Sequence, residues 1–306
     1  MSRDATTSHR LRTAWFTIAA ATVVHVSGCT TGSPGAGIQP NEASRSAIAV
    51  GVETREIEYA DGDTICRGLL AWPTNAEGPV PGVVVVHQWR GRGEHERQRA
   101  EMLAELGYAA FALDMYGGGV FEAEPTQAAR RSGAMLADRD ALTRRFVAGW
   151  EAMKSQPEVD AARTAAIGYC FGGTVVLEVA RRGVPLDAVT SFHGTLMFAN
   201  TPEEGSVHAD ILVCNGHLDP LVPREMADTF MQQLSAAGAD WTFVDYGGAV
   251  HAFTDPGAGP FRHGARAAHD PRADARSWAA MTAQFHDRLG VPAAGAHHHA
   301  TQEQDQ

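Results

Sequence analysis

Three residues of this chain have the types and the order that nucleophilic catalysis needs. Cys170 sits in Gly168-Tyr169-Cys170-Phe171-Gly172-Gly173, Asp219 in Gly216-His217-Leu218-Asp219-Pro220, and His251 in Gly247-Gly248-Ala249-Val250-His251-Ala252-Phe253. A thiolate is a strong nucleophile. An imidazole can take the thiol proton and return it, and a carboxylate can fix the imidazole tautomer and stabilise the imidazolium. The glycines around Cys170 suit a sharp turn whose central residue is strained and whose flanking side chains would collide. A cysteine at a helix start also faces the positive end of the helix dipole. Taken singly, each segment has a structural alternative: a buried cysteine beside a glycine turn, a loop aspartate, a surface histidine. Their order, nucleophile then acid then histidine, with separations of 49 and 32 residues, leaves room for a strand–helix pair between members. His217 precedes the acid and reads as its neighbour.

These residues need a scaffold that brings distant turns to one end. Apolar or alternating runs predict strands over 54–59, 64–72, 83–87, 108–113, 164–169, 188–192, 211–215 and 241–246. Helical periodicity and Gly or Pro stops predict helices over 94–106, 136–153, 172–182, 223–237 and 274–289. The run Val83-Val84-Val85-Val86 has the composition of a strand buried on both faces. Short apolar strands alternating with amphipathic helices predict an α/β domain around a mostly parallel sheet covered on both faces. In such sheets ligands bind beyond the carboxyl ends of the strands, which is where all three segments fall.

The two ends of the chain read differently. Residues 1–28 carry a basic start (Arg3, Arg10, Arg12) and an apolar run over 14–26, the build of an export signal. The run ends in Val26-Ser27-Gly28-Cys29, which resembles the lipobox of bacterial lipoproteins and implies cleavage before Cys29 and lipidation of its thiol. Thr30 in place of Asp implies, by the same analogy, the periplasmic face of the outer membrane. Residues 29–46 read as a flexible tether, 47–291 as the folded domain and 292–306, with His297-His298-His299, as a disordered tail. The chain has a net charge of −11. Loss of residues 1–28, with three arginines and one aspartate, makes it −13. Such an acidic surface disfavours nucleic acid and anionic membranes as partners, leaving membrane contact to the lipid anchor. Four cysteines are too few for a disulfide scaffold. Cys66 and Cys214 lie in apolar strands and read as buried thiols.

From 54 to 289 the chain resembles the dienelactone hydrolase family of α/β hydrolases. The resemblance rests on the cysteine elbow, Ser191-Phe192-His193-Gly194, Asp219-Pro220, His251-Ala252-Phe253, Leu113-Asp114-Met115-Tyr116-Gly117 and Arg276-Ser277-Trp278. It implies a single α/β-hydrolase domain that cleaves an ester or lactone without cofactor or metal, through Cys170, Asp219 and His251. Position in that fold makes the backbone N–H groups of Trp89 and Phe171 the expected oxyanion hole, with Gln88, Tyr116 and Phe253 around the thiol and substrate.

Two positions depart from the family pattern. Gln88 stands where members often carry Glu; an amide cannot accept the thiol proton, though it can hydrogen-bond a thiol. Thr254-Asp255 stands where dienelactone-cleaving members place a carboxylate-binding Arg. Asp255 would repel an anionic substrate, so neutral substrates are expected ahead of anionic ones. A binding or scaffold lipoprotein on an inactive hydrolase fold is the alternative from another class.

Overall fold

The computed structural model describes residues 50–290. The expected signal, the lipidated Cys29, the tether up to residue 46 and the tail from residue 292 lie outside the described residues.

Eight strands form one sheet: β1 (Val52–Asp61), β2 (Thr64–Pro73), β3 (Val80–Val86), β4 (Ala109–Leu113), β5 (Val159–Tyr169), β6 (Ala188–Phe192), β7 (Asp210–Gly216) and β8 (Trp241–Tyr246). Their spatial order is β1-β2-β4-β3-β5-β6-β7-β8. β1 with β2 and β2 with β4 are antiparallel, and every later pairing is parallel. Among the described residues are six α-helices, α1 (Glu94–Glu105), α2 (Pro125–Ala137), α3 (Arg139–Lys154), α4 (Phe171–Arg181), α5 (Arg224–Ala236) and α6 (Pro271–Leu289), of which α2 packs on α3. The valine run of β3 shows why both faces must be covered. Val84 and Val86 enter the core with α3, α4 and α5 residues such as Phe146, Val176 and Phe230. Val83 and Val85 enter the opposite core with Leu103 of α1 and Phe285 of α6. The α/β architecture expected from the sequence is the one the chain adopts.

Of the boundaries that differ from the sequence expectation, three bear on how the elements are built. The helix predicted over 136–153 is α3, and a separate helix, α2, precedes it. Asp138 breaks the run: its backbone is non-helical (φ −108°, ψ 84°) and its side chain accepts the Ala141 N–H, capping α3. The start of α2 carries a usable signal, Pro125 at its first position. Helix α6 begins three residues early, because Asp270 caps the Arg272 and Ala273 amides. β5 runs back to Val159, with a register shift against β3 at Pro81/Gly82.

Candidate active site

The carboxyl ends of β3, β5, β7 and β8 bring the predicted residues together. Cys170 lies between β5 and α4 with φ +54°, a left-handed backbone rare for a residue with a side chain. The glycines beside it permit this. A Cβ on Gly168 would come within 2.1 Å of the Gly172 carbonyl oxygen, and one on Gly172 within 2.2 Å of the Val86 carbonyl oxygen. The turn is thus closed against its own backbone and against β3, which fixes the direction of the thiol.

His251 Nε2 is 3.1 Å from Cys170 Sγ, and His251 Nδ1 donates to Asp219 Oδ2 at 2.8 Å. Both loops are tied down. Leu218 N–H donates to the Ala249 carbonyl and His217 N–H to the Tyr246 carbonyl, so acid and histidine loops share hydrogen bonds. Leu221 N–H occupies Asp219 Oδ1, leaving Oδ2 for the histidine. Asp219 and His251 are buried and Cys170 is half-buried. Burial opposes a charge on His251. The negative charge that proton loss would leave on Cys170, with the Asp219 hydrogen bond and charge, outweighs that and pushes His251 up to about 10. A proton leaving the thiol therefore has a strong acceptor in contact. His217 is exposed and pairs with Asp245, away from this cluster.

The two expected oxyanion donors are available. Among the described residues, neither the Trp89 nor the Phe171 N–H has a protein acceptor. Phe171 is the first residue of α4, where helix amides lack internal partners. The Trp89 peptide is held through its other end: the Gln88 carbonyl accepts His87 Nδ1–H at 2.6 Å and Gly91 N–H at 3.2 Å. In a planar trans peptide that fixes where the Trp89 N–H points. Tyr116 hydroxyl holds the next carbonyl, Trp89 O, at 2.9 Å. His87 accepts the Met115 N–H on Nε2, which sets its tautomer, and burial lowers its pKa.

One pocket assignment needs correction, and a second residue bonds elsewhere than to the thiol. Phe253 is fully buried, its ring 5.2 Å edge-on from His193 and 5.5 Å from Tyr246. It supports the histidine loop from below and cannot touch a substrate. Gln88 does not bond the thiol. Its amide donates to Asp255 Oδ2 at 3.0 Å. The two departures from the family pattern therefore pair with one another and line a cavity of about 410 Å³ next to Trp89. Arg131, whose guanidinium lies 6.0 Å from the centre of the Tyr116 ring, pairs with Glu122.

Several residues that hold the site were given no role in it from sequence. His193, with φ +42°, accepts the Cys170 N–H on Nδ1 at 3.1 Å and donates from Nε2 to Thr254 Oγ1 at 2.8 Å. Glu96 on α1 accepts the Gln88 and Gly93 amides. Asp114 is fully buried and accepts the Arg67, Tyr116, Gly117 and Gly119 amides, which shapes the loop that carries Tyr116. The other two described cysteines are unpaired and buried. Burial pushes Cys66 up to about 11 and Cys214 up to about 12, so both are poor nucleophiles.

A model of the dienelactone hydrolase family matches residues 66–289. The chain is 42% identical to m3DLH, with a TM-score of 0.74, covering 78% of this chain and 99% of that one. A dienelactone hydrolase-like promiscuous phosphotriesterase from metagenomic libraries is 40% identical, with a TM-score of 0.74 and the same shares covered. The Caenorhabditis elegans protein K02A2.1, itself uncharacterized, is 38% identical over 157 residues, which is 48% of this chain and 94% of that one.

Proposed function

The chain belongs to the dienelactone hydrolase family, and from that premise we propose that it cleaves an ester or lactone by covalent catalysis at Cys170. The observation that carries this reading is the unbroken line Cys170 Sγ, His251 Nε2, His251 Nδ1, Asp219 Oδ2, with both contacts at hydrogen-bond length. The thiol proton passes to His251 Nε2 as Sγ bonds to the substrate carbonyl carbon. The carbonyl electron pair moves to oxygen, where the Trp89 and Phe171 N–H groups stabilise the negative charge. The intermediate collapses to an acyl-thioester, and the leaving alkoxide takes the proton from His251. His251 then deprotonates a water, which attacks the thioester and releases the acid and the thiol. Gln88 takes no part as a base, since its amide is engaged by Asp255.

Asp255 bears on the substrate. It is half-buried, beside Trp89, and its partner Gln88 is neutral, so its charge is not cancelled by an ion pair among the described residues. A substrate carboxylate on that side meets repulsion. The test uses p-nitrophenyl acetate and a carboxylated analogue of it. The acetate is expected to give a burst of about one p-nitrophenolate per chain, with an acetyl group on Cys170 by peptide mass, and the analogue to react more slowly. Absence of the acyl group from Cys170 would sink the mechanism, and faster reaction of the carboxylated ester would sink the Asp255 reading.

We also propose that the protein is an exported lipoprotein, on the ground of Val26-Ser27-Gly28-Cys29 after a basic and apolar leader. Protein extracted from membranes of a bacterial host is expected to begin at Cys29 and carry lipid there. Recovery of soluble protein retaining residues 1–28 would contradict this.

A further inference from the structure

Away from Cys170, a cavity of about 560 Å³ is lined by Arg139, Arg181, Arg182, Glu178 and the loop that carries Phe198. Its charges do not cancel. Glu178 pairs with Arg182 at 2.6 Å, and Arg182 also reaches Asp140 at 2.6 Å. Among the described residues, no carboxylate pairs with Arg139 or Arg181. Arg181 is only 8% exposed, and one of its nitrogens donates to the Asn200 carbonyl. Its Nη1 is buried without a hydrogen-bond partner, and so is Nη1 of Arg139. The two guanidinium groups lie 4.5 and 5.8 Å from the centre of the Phe198 ring, which holds both on one cavity. Burial pushes the Arg181 guanidinium down to about 10; Glu178 opposes that, and the like charge of Arg139 reinforces it. Arg181 is still a cation at neutral pH.

Two buried donors without acceptors, on neighbouring like charges, are costly to fold. A chain with net charge −11 has carboxylates enough to neutralise them, yet the one carboxylate lining the cavity, Glu178, is paired with Arg182. We propose that this cavity binds a small-molecule anion through a phosphate or carboxylate group held between Arg139 and Arg181. A guanidinium presents paired N–H donors that match the oxygens of either group, and the Phe198 ring offers an apolar wall for the rest of the ligand. None of Cys170, Asp219 and His251 lines this cavity. Helix α4 separates them, since the run from Phe171 to Arg181 spans about 15 Å. The site is independent of the reaction proposed for Cys170 and is tested by binding.

The full chain is titrated with inorganic phosphate and, separately, with succinate at constant ionic strength, with sodium chloride as control, and its unfolding temperature is followed. At least one anion is expected to give a saturable rise of about 3 °C at tenfold above its Kd. Arg181→Gln and Arg139→Gln should each weaken that response at least about tenfold. Cys170→Ala should leave it unchanged. Should the buried Arg181 variant fail to fold, the half-buried Arg139 decides alone. If neither anion exceeds the chloride control, or the response survives undiminished in Arg139→Gln, the proposal fails.

Discussion

Cys170→Ala is expected to lower kcat for p-nitrophenyl ester hydrolysis on the order of 10⁴-fold while leaving the unfolding temperature within about 2 °C of the parent. The activity loss follows because no other described cysteine can replace the nucleophile. Cys66 and Cys214 are buried, and their thiols are pushed up to about 11 and 12 by that burial. Stability is spared because Ala keeps the Cβ and hence the same left-handed backbone at φ +54°, and the position is already half-exposed. His251→Gln should lose activity of the same order, since the thiol then has no base within reach. Gln88 cannot act as one, being an amide that donates to Asp255. The double variant should be little worse than the worse single one, because nucleophile and base act as one unit. Additive losses, or a Cys170→Ala protein that still turns over ester, would mean another group does the chemistry. His251→Gln is expected to cost stability as well, because Asp219 is buried and loses the partner at 2.8 Å that balances its charge.

The residues that touch the reacting atoms were readable because each ends a strand. A β-branched or apolar run followed by a glycine-rich turn is a local signal, and it marks the segments of Cys170, Asp219, His251 and Trp89 in one dimension. What the signal lacks is any record of pairing across the chain. Gln88 and Asp255 are 167 residues apart, and nothing in either segment announces that they meet. The Gln88 amide read alone could face the thiol; only the fold turns it toward the carboxylate. Phe253 shows the same limit, since an aromatic two residues after the histidine suits a pocket wall and a core position equally. Among the elements, the break between α2 and α3 hung on whether Asp138 would cap a helix or ride in one, a choice made by its own side chain bonding the Ala141 amide. The anion cavity was invisible because its two unpaired arginines lie 42 residues apart on the ends of different helices.

His193→Leu is expected to lower kcat/KM on the order of 10²-fold with no direct loss of a reacting group, because His193 is a positioning residue. It joins three segments. The strained Cys170 amide donates both to Phe192 O, at 3.0 Å, and to His193 Nδ1, at 3.1 Å. Since Nδ1 accepts, Nε2 carries the proton, and it donates to Thr254 Oγ1 three residues beyond His251. The ring also sits edge-on to His251, with centroids 5.2 Å apart. Elbow and histidine loop are thereby referenced to the end of β6. Leu would remove both hydrogen bonds and would be strained at φ +42°. His193→Asn is the informative control: Asn tolerates a left-handed backbone, and its carbonyl oxygen can still accept the Cys170 amide. It should retain activity within about tenfold of the parent, a rescue that generic loss of packing would not give. The bridge also carries a pH signature. Burial, followed by the like charges of His251, His95 and Arg99, lowers the His193 pKa well below its ordinary value of 6.5. The folded state therefore binds this proton less readily than the unfolded chain. Its contribution to stability is complete above about pH 6.5 and is lost as pH falls from there toward the depressed value. Denaturant unfolding at stepped pH should show a shallower acid-side decline for His193→Asn than for the parent, with His87, also lowered by burial, accounting for part of what remains. Equal slopes in the two proteins, or full activity in His193→Leu, would remove His193 from this role.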